Sequence, residues 1–106
     1  MVAKLYVLVR SDLSMGARVA QAIHGARQFA AEHPIIELDW FQTSNTVAVL
    51  DVRDEAHLLD LTERADVFGI PHATFREPDM GDSTTVLVLG QHPNTRRITS
   101  SLPLLS

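Results

Sequence analysis

Apolar positions fall along this chain in two kinds of block, continuous runs and spaced stripes, and the two alternate. Residues 3–9 (AKLYVLV) are nearly all apolar and β-prone, which predicts a strand buried on both faces. A polar break over Arg10–Ser14 follows, and from Met15 to about His33 the apolar residues recur at helical spacing. Ser14 is placed to cap that helix, and Pro34 ends it by pushing the preceding residue out of helical geometry. Thr46–Val52 predicts a second apolar strand. Asp54 then caps a second helix, whose buried stripe is Leu58, Leu61, Ala65 and Phe68 and whose stop is Gly69 before Pro71. His72–Arg76 alternates as a third strand, and Thr85–Leu89 is a fourth, near enough to the third to pair with it as an antiparallel hairpin. Ile35–Ser44, with the single tryptophan Trp40, reads as irregular or a short helical turn. Gln91–Ser106 reads as a loop or short helical turn ending in the apolar Leu102–Leu105.

This β-α-β-α-β-β order predicts one α/β domain over residues 1–106, with strands one to three running parallel through helical crossovers. Such sheets bind ligands beyond the carboxyl ends of their parallel strands. Arg10, Arg53 and Arg76 each fall at such an end, so all three are expected along one sheet edge, beside the start of the first helix. Around that helix Met15, Val19, Ala22, Ile23, Ala26, Phe29 and Ala30 form one stripe, the expected buried face. Gln21, His24, Gln28 and Glu32 fall opposite, with Arg18 at the border. Ala20, Gly25 and Ala31 are small enough to let another backbone or a ligand approach.

Composition narrows the function more than the fold. A hydrophobic content of 45% with 21% charged residues is globular, and no apolar run approaches the roughly 20 residues of a membrane span. The chain opens directly in a strand pattern without a leader-like segment, so a cytoplasmic location is expected. Without cysteine there is no disulfide, thiolate nucleophile or cysteine-type zinc site. The net charge of −4 argues against a protein that coats nucleic acid non-specifically. Lys4 is the only lysine; the remaining basic residues are arginines, suited to bidentate phosphate contacts.

The five histidines (His24, His33, His57, His72, His92) lack metal-ligand spacing, and His24 and His72 read as separate surface or packing residues. Phosphate-binding glycine loops and the G-x-S-x-G elbow are missing from the sequence. The acidic turn Glu77, Asp79, Asp82 is open to two readings, a general base held near a guanidinium or ordinary turn chemistry. The junction over residues 10–25 gathers a guanidinium, a carboxylate, a carboxamide and an imidazole where a helix begins past a strand end, a setting that favours an anion.

With Arg10-Ser11-Asp12-Leu13-Ser14-Met15-Gly16, then Val19-Ala20-Gln21-Ala22-Ile23-His24-Gly25, and later Phe75-Arg76-Glu77 and Thr85-Val86-Leu87, the chain resembles the type II peptidyl-tRNA hydrolases over nearly its whole length. The resemblance implies a three-layer α/β/α domain around a four-stranded mixed sheet with the last strand antiparallel. It also implies hydrolysis of the ester between a peptide and the tRNA 3′ end, without metal or cofactor. The residues it carries over are Glu77 for the family's aspartate and Thr85 for its last-strand threonine. The family's lysine falls on Ala17, and the nearest cation is Arg18, which stays protonated and so can stabilise an oxyanion or phosphate but cannot act as a base. The candidate catalytic residues are therefore Arg18, His24, Glu77, Asp79 and Thr85. Candidate contacts to peptidyl-tRNA are Arg10, Asp12, Ser14, Gly16, Gln21, Arg53 and Arg76. The alternatives are a non-catalytic module of the same fold that binds tRNA ends or a phosphorylated ligand, and an interaction domain, a homodimer built on Trp40, Phe41 and the Leu102–Leu105 tail.

Overall fold

The computed structural model describes residues 3–106. Its strands are β1 (Lys4–Arg10), β2 (Thr46–Val52), β3 (His72–Glu77) and β4 (Ser83–Leu89), and its helices α1 (Met15–Glu32), α2 (Pro34–Thr43), α3 (Glu55–Val67) and α4 (Thr95–Thr99). The strands form one sheet in the order β2-β1-β4-β3. β1 and β2 pair in parallel, while β4 is antiparallel to both β1 and β3. The first three strands thus run in one direction as expected, but β4 lies between β1 and β3.

β1 is buried on both sides because each face of the sheet carries a helical layer. Tyr6, Leu8, Leu50, Val52, Leu87 and Leu89 pack with Leu58, Leu61 and Ala65 of α3 and Ile98 of α4. On the other face Leu5, Val7, Val9, Val86 and Val88 pack with Phe29 of α1, and Trp40 of α2 leans on the cluster. The result is a three-layer α/β/α domain. Ser14 caps α1 by accepting from the Ala17 amide at 3.2 Å, and Asp54 caps α3 by accepting from the His57 amide at 2.9 Å.

Three expectations need correction. Residues 35–43, expected to be irregular or a short helical turn, belong to α2, a full helix of ten residues. Pro34 both ends α1 and opens α2 near its first position, where the missing N–H costs nothing. None of the α2 residues is fully buried, so its sequence shows no stripe; Trp40 anchors it by donating Nε1–H to the Thr46 carbonyl at 2.8 Å. The tail after α4 runs antiparallel beside β2, where Leu104 bridges Leu50, Asp51 N–H donates to Pro103 O at 2.9 Å and Leu105 N–H to Val49 O at 2.9 Å. It covers the open edge of β2 and so blunts an aggregation-prone feature.

The third correction concerns the buried face of α1. Gln21, Gly25 and Phe29 are its buried residues, whereas Met15, Val19 and Ile23 are each about half exposed (47%, 50% and 56%). Gly25 is the cause. A Cβ there would stand 2.6 Å and 2.8 Å from the two γ-methyls of Val86, so only glycine lets α1 sit this close to β4. That seating turns Gln21 into the sheet and rotates the apolar stripe outward.

Candidate active site

At the carboxyl end of the sheet, β3 and β4 fall out of step: Phe75 pairs with Val86, but Arg76 pairs with Thr84. One residue of β4, Thr85, has no partner in that ladder, the signature of a β-bulge. Strict alternation would put Thr85 on the face of Leu87 and Leu89, toward α3. The bulge instead lets its hydroxyl reach α1, where Thr85 Oγ1 donates to Gln21 Oε1 at 2.6 Å. Both residues are almost fully buried. A carboxamide whose oxygen accepts from Thr85 must present its NH2 the other way, and Gln21 Nε2 donates to Glu77 Oε1 at 3.3 Å. Thr85, Gln21 and Glu77, contributed by β4, α1 and β3, therefore form one chain of hydrogen bonds running from the core to a half-buried carboxylate.

Next to this chain, His24 stands one turn along α1 from Gln21. Its ring lies parallel to Phe75, with centroids 4.5 Å apart and planes 9° from coplanar. Asp79 lies exposed in the turn Pro78–Met80 that follows Glu77. That turn ends on Gly81 and Asp82, both at positive φ (65° and 60°). Arg76 grips it by donating to Asp82 Oδ2 at 2.6 Å.

Arg10, Arg53 and Arg76 do share the sheet edge, but two of them are occupied. Arg10 makes a two-pronged contact with Asp12 at 3.0 Å and 2.9 Å and donates Nη1–H to Ser83 Oγ and Thr84 O, each at 3.2 Å, bracing the end of β1 to the start of β4. The hydrogen bond from Arg10 holds the Asp12 carboxyl below its ordinary range, and Asp12 in turn raises the already high pKa of Arg10. Arg76 is paired with Asp82. Among the described residues only Arg53, of the three, keeps a guanidinium without an internal partner.

Arg18 is not brought to Glu77. Its Nε–H donates to Leu13 O at 3.0 Å and its Nη1 lies 3.8 Å from Asp51 Oδ1, at the β2 side of the sheet, whereas Glu77 ends β3 at the other side. Ser14 is committed as a helix cap, and Gly16, at the exposed start of α1, has open space where a side chain would stand. Sequence reasoning passed over Glu55. Its Oε2 accepts from the Thr84 amide at 2.7 Å and pins the backbone just before the bulge; an acidic residue after the Asp54 cap reads only as a helix-start preference. Among the described residues no group of three or more His, Asp or Glu side chains is arranged to hold a metal ion.

A bulged threonine, a buried carboxamide and a terminal carboxylate at the carboxyl edge of an α/β/α sheet define a class of site suited to water activation beside a polar substrate. Comparisons with known proteins identify the family. The family model described as peptidyl-tRNA hydrolase PTH2 matches residues 3–105. A peptidyl-tRNA hydrolase of Methanopyrus kandleri is 32% identical over 113 residues, covering 96% of this chain and 97% of that protein. A solved protein of unknown function from Agrobacterium tumefaciens strain C58 shares the fold with a TM-score of 0.73 at 14% identity, covering all of this chain and 99% of that one. The chain belongs to the type II peptidyl-tRNA hydrolase family.

Proposed function

We propose that this protein hydrolyses the ester linking a peptide to the 3′ end of tRNA, with Glu77 as the base that activates water. The hydrogen-bond chain from Thr85 through Gln21 to Glu77 is the observation that carries this reading. The Thr85 hydroxyl fixes the Gln21 amide, and the amide fixes one carboxylate oxygen of Glu77. The other oxygen is left to take a proton from water as that water attacks the ester carbonyl. We assign the developing oxyanion to the exposed ring of His24, backed by the second N–H of Gln21 beside Glu77. Asp79 would hold or orient water in the flanking turn. Arg53, with its uncommitted guanidinium, supplies a phosphate contact, while Arg10, Asp12, Ser14, Gly16 and Arg76 shape the edge on which the acceptor end rests.

No step in this scheme requires a metal ion. No helix among the described residues is long and apolar enough to cross a membrane, and tRNA as substrate suits a cytoplasmic enzyme. A homodimer belongs to the same proposal. Its support is an apolar groove of about 600 Å³ between α1, α2 and β2, in which Leu38, Phe41 and Val47 stand exposed. The tail assigned to that contact by sequence is instead engaged along β2.

The decisive experiment is release of free tRNA from an N-blocked aminoacyl-tRNA by purified protein in the presence of chelator. Release that falls a hundredfold or more in Glu77→Gln is the expected result. Release undiminished in that variant, or none from the unaltered protein at high concentration, overturns the assignment and leaves the non-catalytic binding module.

A further inference from the structure

Beyond the Thr85–Gln21–Glu77 chain, α1 and β3 border a second cleft of about 340 Å³, lined by His24, Arg27, Gln28, Ala30 and Phe75. One face of the His24 ring is covered by Phe75, parallel at 4.5 Å, and the ring is otherwise exposed. An imidazole held this way presents a flat open face to the cleft. Neither ring nitrogen is engaged by a described residue. Arg27 is one turn further along α1, and its guanidinium has no acidic partner among the described residues. Residues three apart on a helix lie about 5–6 Å apart at Cβ, close to the separation of a nucleobase from its own 5′-phosphate. Gln28, whose amide donates to Glu32 at 2.5 Å, keeps its carboxamide oxygen as an acceptor.

We propose that this cleft is the seat of the 3′-terminal nucleotide of the substrate RNA, its base stacked on the open face of His24 and its 5′-phosphate on Arg27. The inference rests on the reading of the substrate as peptidyl-tRNA, and it gives His24 a role as stacking platform. Register supports the assignment. His24 stands one helical turn from Gln21, and Phe75 two residues before Glu77, so a base on His24 places its own ribose, which carries the ester, beside the Glu77 carboxylate. An apolar peptide side chain fits this cleft less well, because His24, Arg27 and Gln28 make most of its lining polar.

The test needs no chemistry. Binding of an acceptor-stem minihelix ending in CCA is compared, by fluorescence anisotropy, with the same RNA lacking its terminal adenosine. Stacking on an aromatic surface contributes roughly 1–3 kcal/mol per base, so the terminal adenosine should tighten binding by about tenfold in the unaltered protein. His24→Ala should abolish that gain, and His24→Phe, which keeps a flat ring, should restore it. Arg27→Gln should flatten the slope of log affinity against log salt by about 0.7. A terminal adenosine that contributes equally in the unaltered protein and in His24→Ala overturns the proposal, as does a minihelix that does not bind. Because the readout is binding, the His24 pattern is established or lost independently of whether any ester is cleaved. His24 is exposed on α1, and unchanged thermal midpoints of the variants would show that a loss of binding is local.

Discussion

The Thr85 hydroxyl donates to the Gln21 carboxamide oxygen at 2.6 Å, and both groups are shut away from water between α1 and the sheet. A hydroxyl has one proton to give, so the longer 3.4 Å approach of the same oxygen to Phe75 O is at most a shared contact. Thr85→Val keeps the shape and removes the proton, leaving a buried acceptor unsatisfied. A loss of about 1–3 kcal/mol in chemical denaturation is expected, with little loss for Thr85→Ser. The cycle closed by Gln21→Leu should show coupling of roughly 0.5–3 kcal/mol; additive effects would separate the two groups.

This pair also marks the border of what sequence alone reveals. The four strands are legible because each is a continuous apolar or alternating run, and Ser14, Asp54 and Pro34 punctuate the helices by local chemistry that needs no tertiary partner. Gln21 was misplaced because a helical wheel sorts residues by polarity, whereas burial here depends on satisfaction by Thr85 and Glu77, residues more than fifty positions away. Thr85 is named only through the family resemblance; by pattern alone it reads as an ordinary strand residue, since a bulge is a relation between two strands and leaves no mark on one. The arginine edge was found because strand direction follows from connectivity. Its partial neutralisation by Asp12 and Asp82 was not, since pairing depends on rotamers.

Gly25→Ala tests the seating of α1 directly. Alanine favours the helix by about 1 kcal/mol over glycine. Its methyl would nonetheless stand 2.6 Å from Val86 Cγ2 and 3.0 Å from Val88 Cγ2, inside van der Waals contact. Overpacking of this kind costs about 1–3 kcal/mol, so the clash wins and the thermal midpoint should drop by several degrees. A midpoint that rises would mean α1 can lift from β4. Gly16→Ala, with open space at its Cβ, is the control and should stabilise or be neutral.

The Arg10–Asp12 contact predicts a pH signature. The folded-state pKa of Asp12 is lowered, chiefly by the hydrogen bond from Arg10. A carboxyl with a lowered folded pKa binds its proton less readily folded than unfolded. Its stabilisation is therefore complete above the unfolded carboxylate range and is lost as pH falls through the folded value. Asp12→Asn should be less stable than the unaltered protein at pH 7 and equal to it in strong acid, as read from denaturant midpoints across that range. A gap independent of pH would assign the contact to packing instead of charge. Asp12 is 41% exposed in its side chain, so the effect will be modest and will shrink with added salt.

Arg18 offers the sharpest division between structural and chemical roles. Its place next to Ala17, where the family carries a lysine, invites a part in catalysis, but its guanidinium holds Leu13 O and faces Asp51 at 3.8 Å. Asp51 Oδ1 is buried and has no hydrogen-bond partner among the described residues, so Arg18 is the cation that compensates it. Removing one partner of such a pair strands the other charge. Arg18→Ala should therefore lower stability by about 1–3 kcal/mol, and adding Asp51→Asn should recover part of that loss by deleting the orphaned charge. Ester hydrolysis at saturating substrate and a temperature where the variant is fully folded should stay within a few-fold. A hundredfold fall in rate with unchanged stability would instead mean that Arg18 leaves Asp51 and swings to the substrate when tRNA binds.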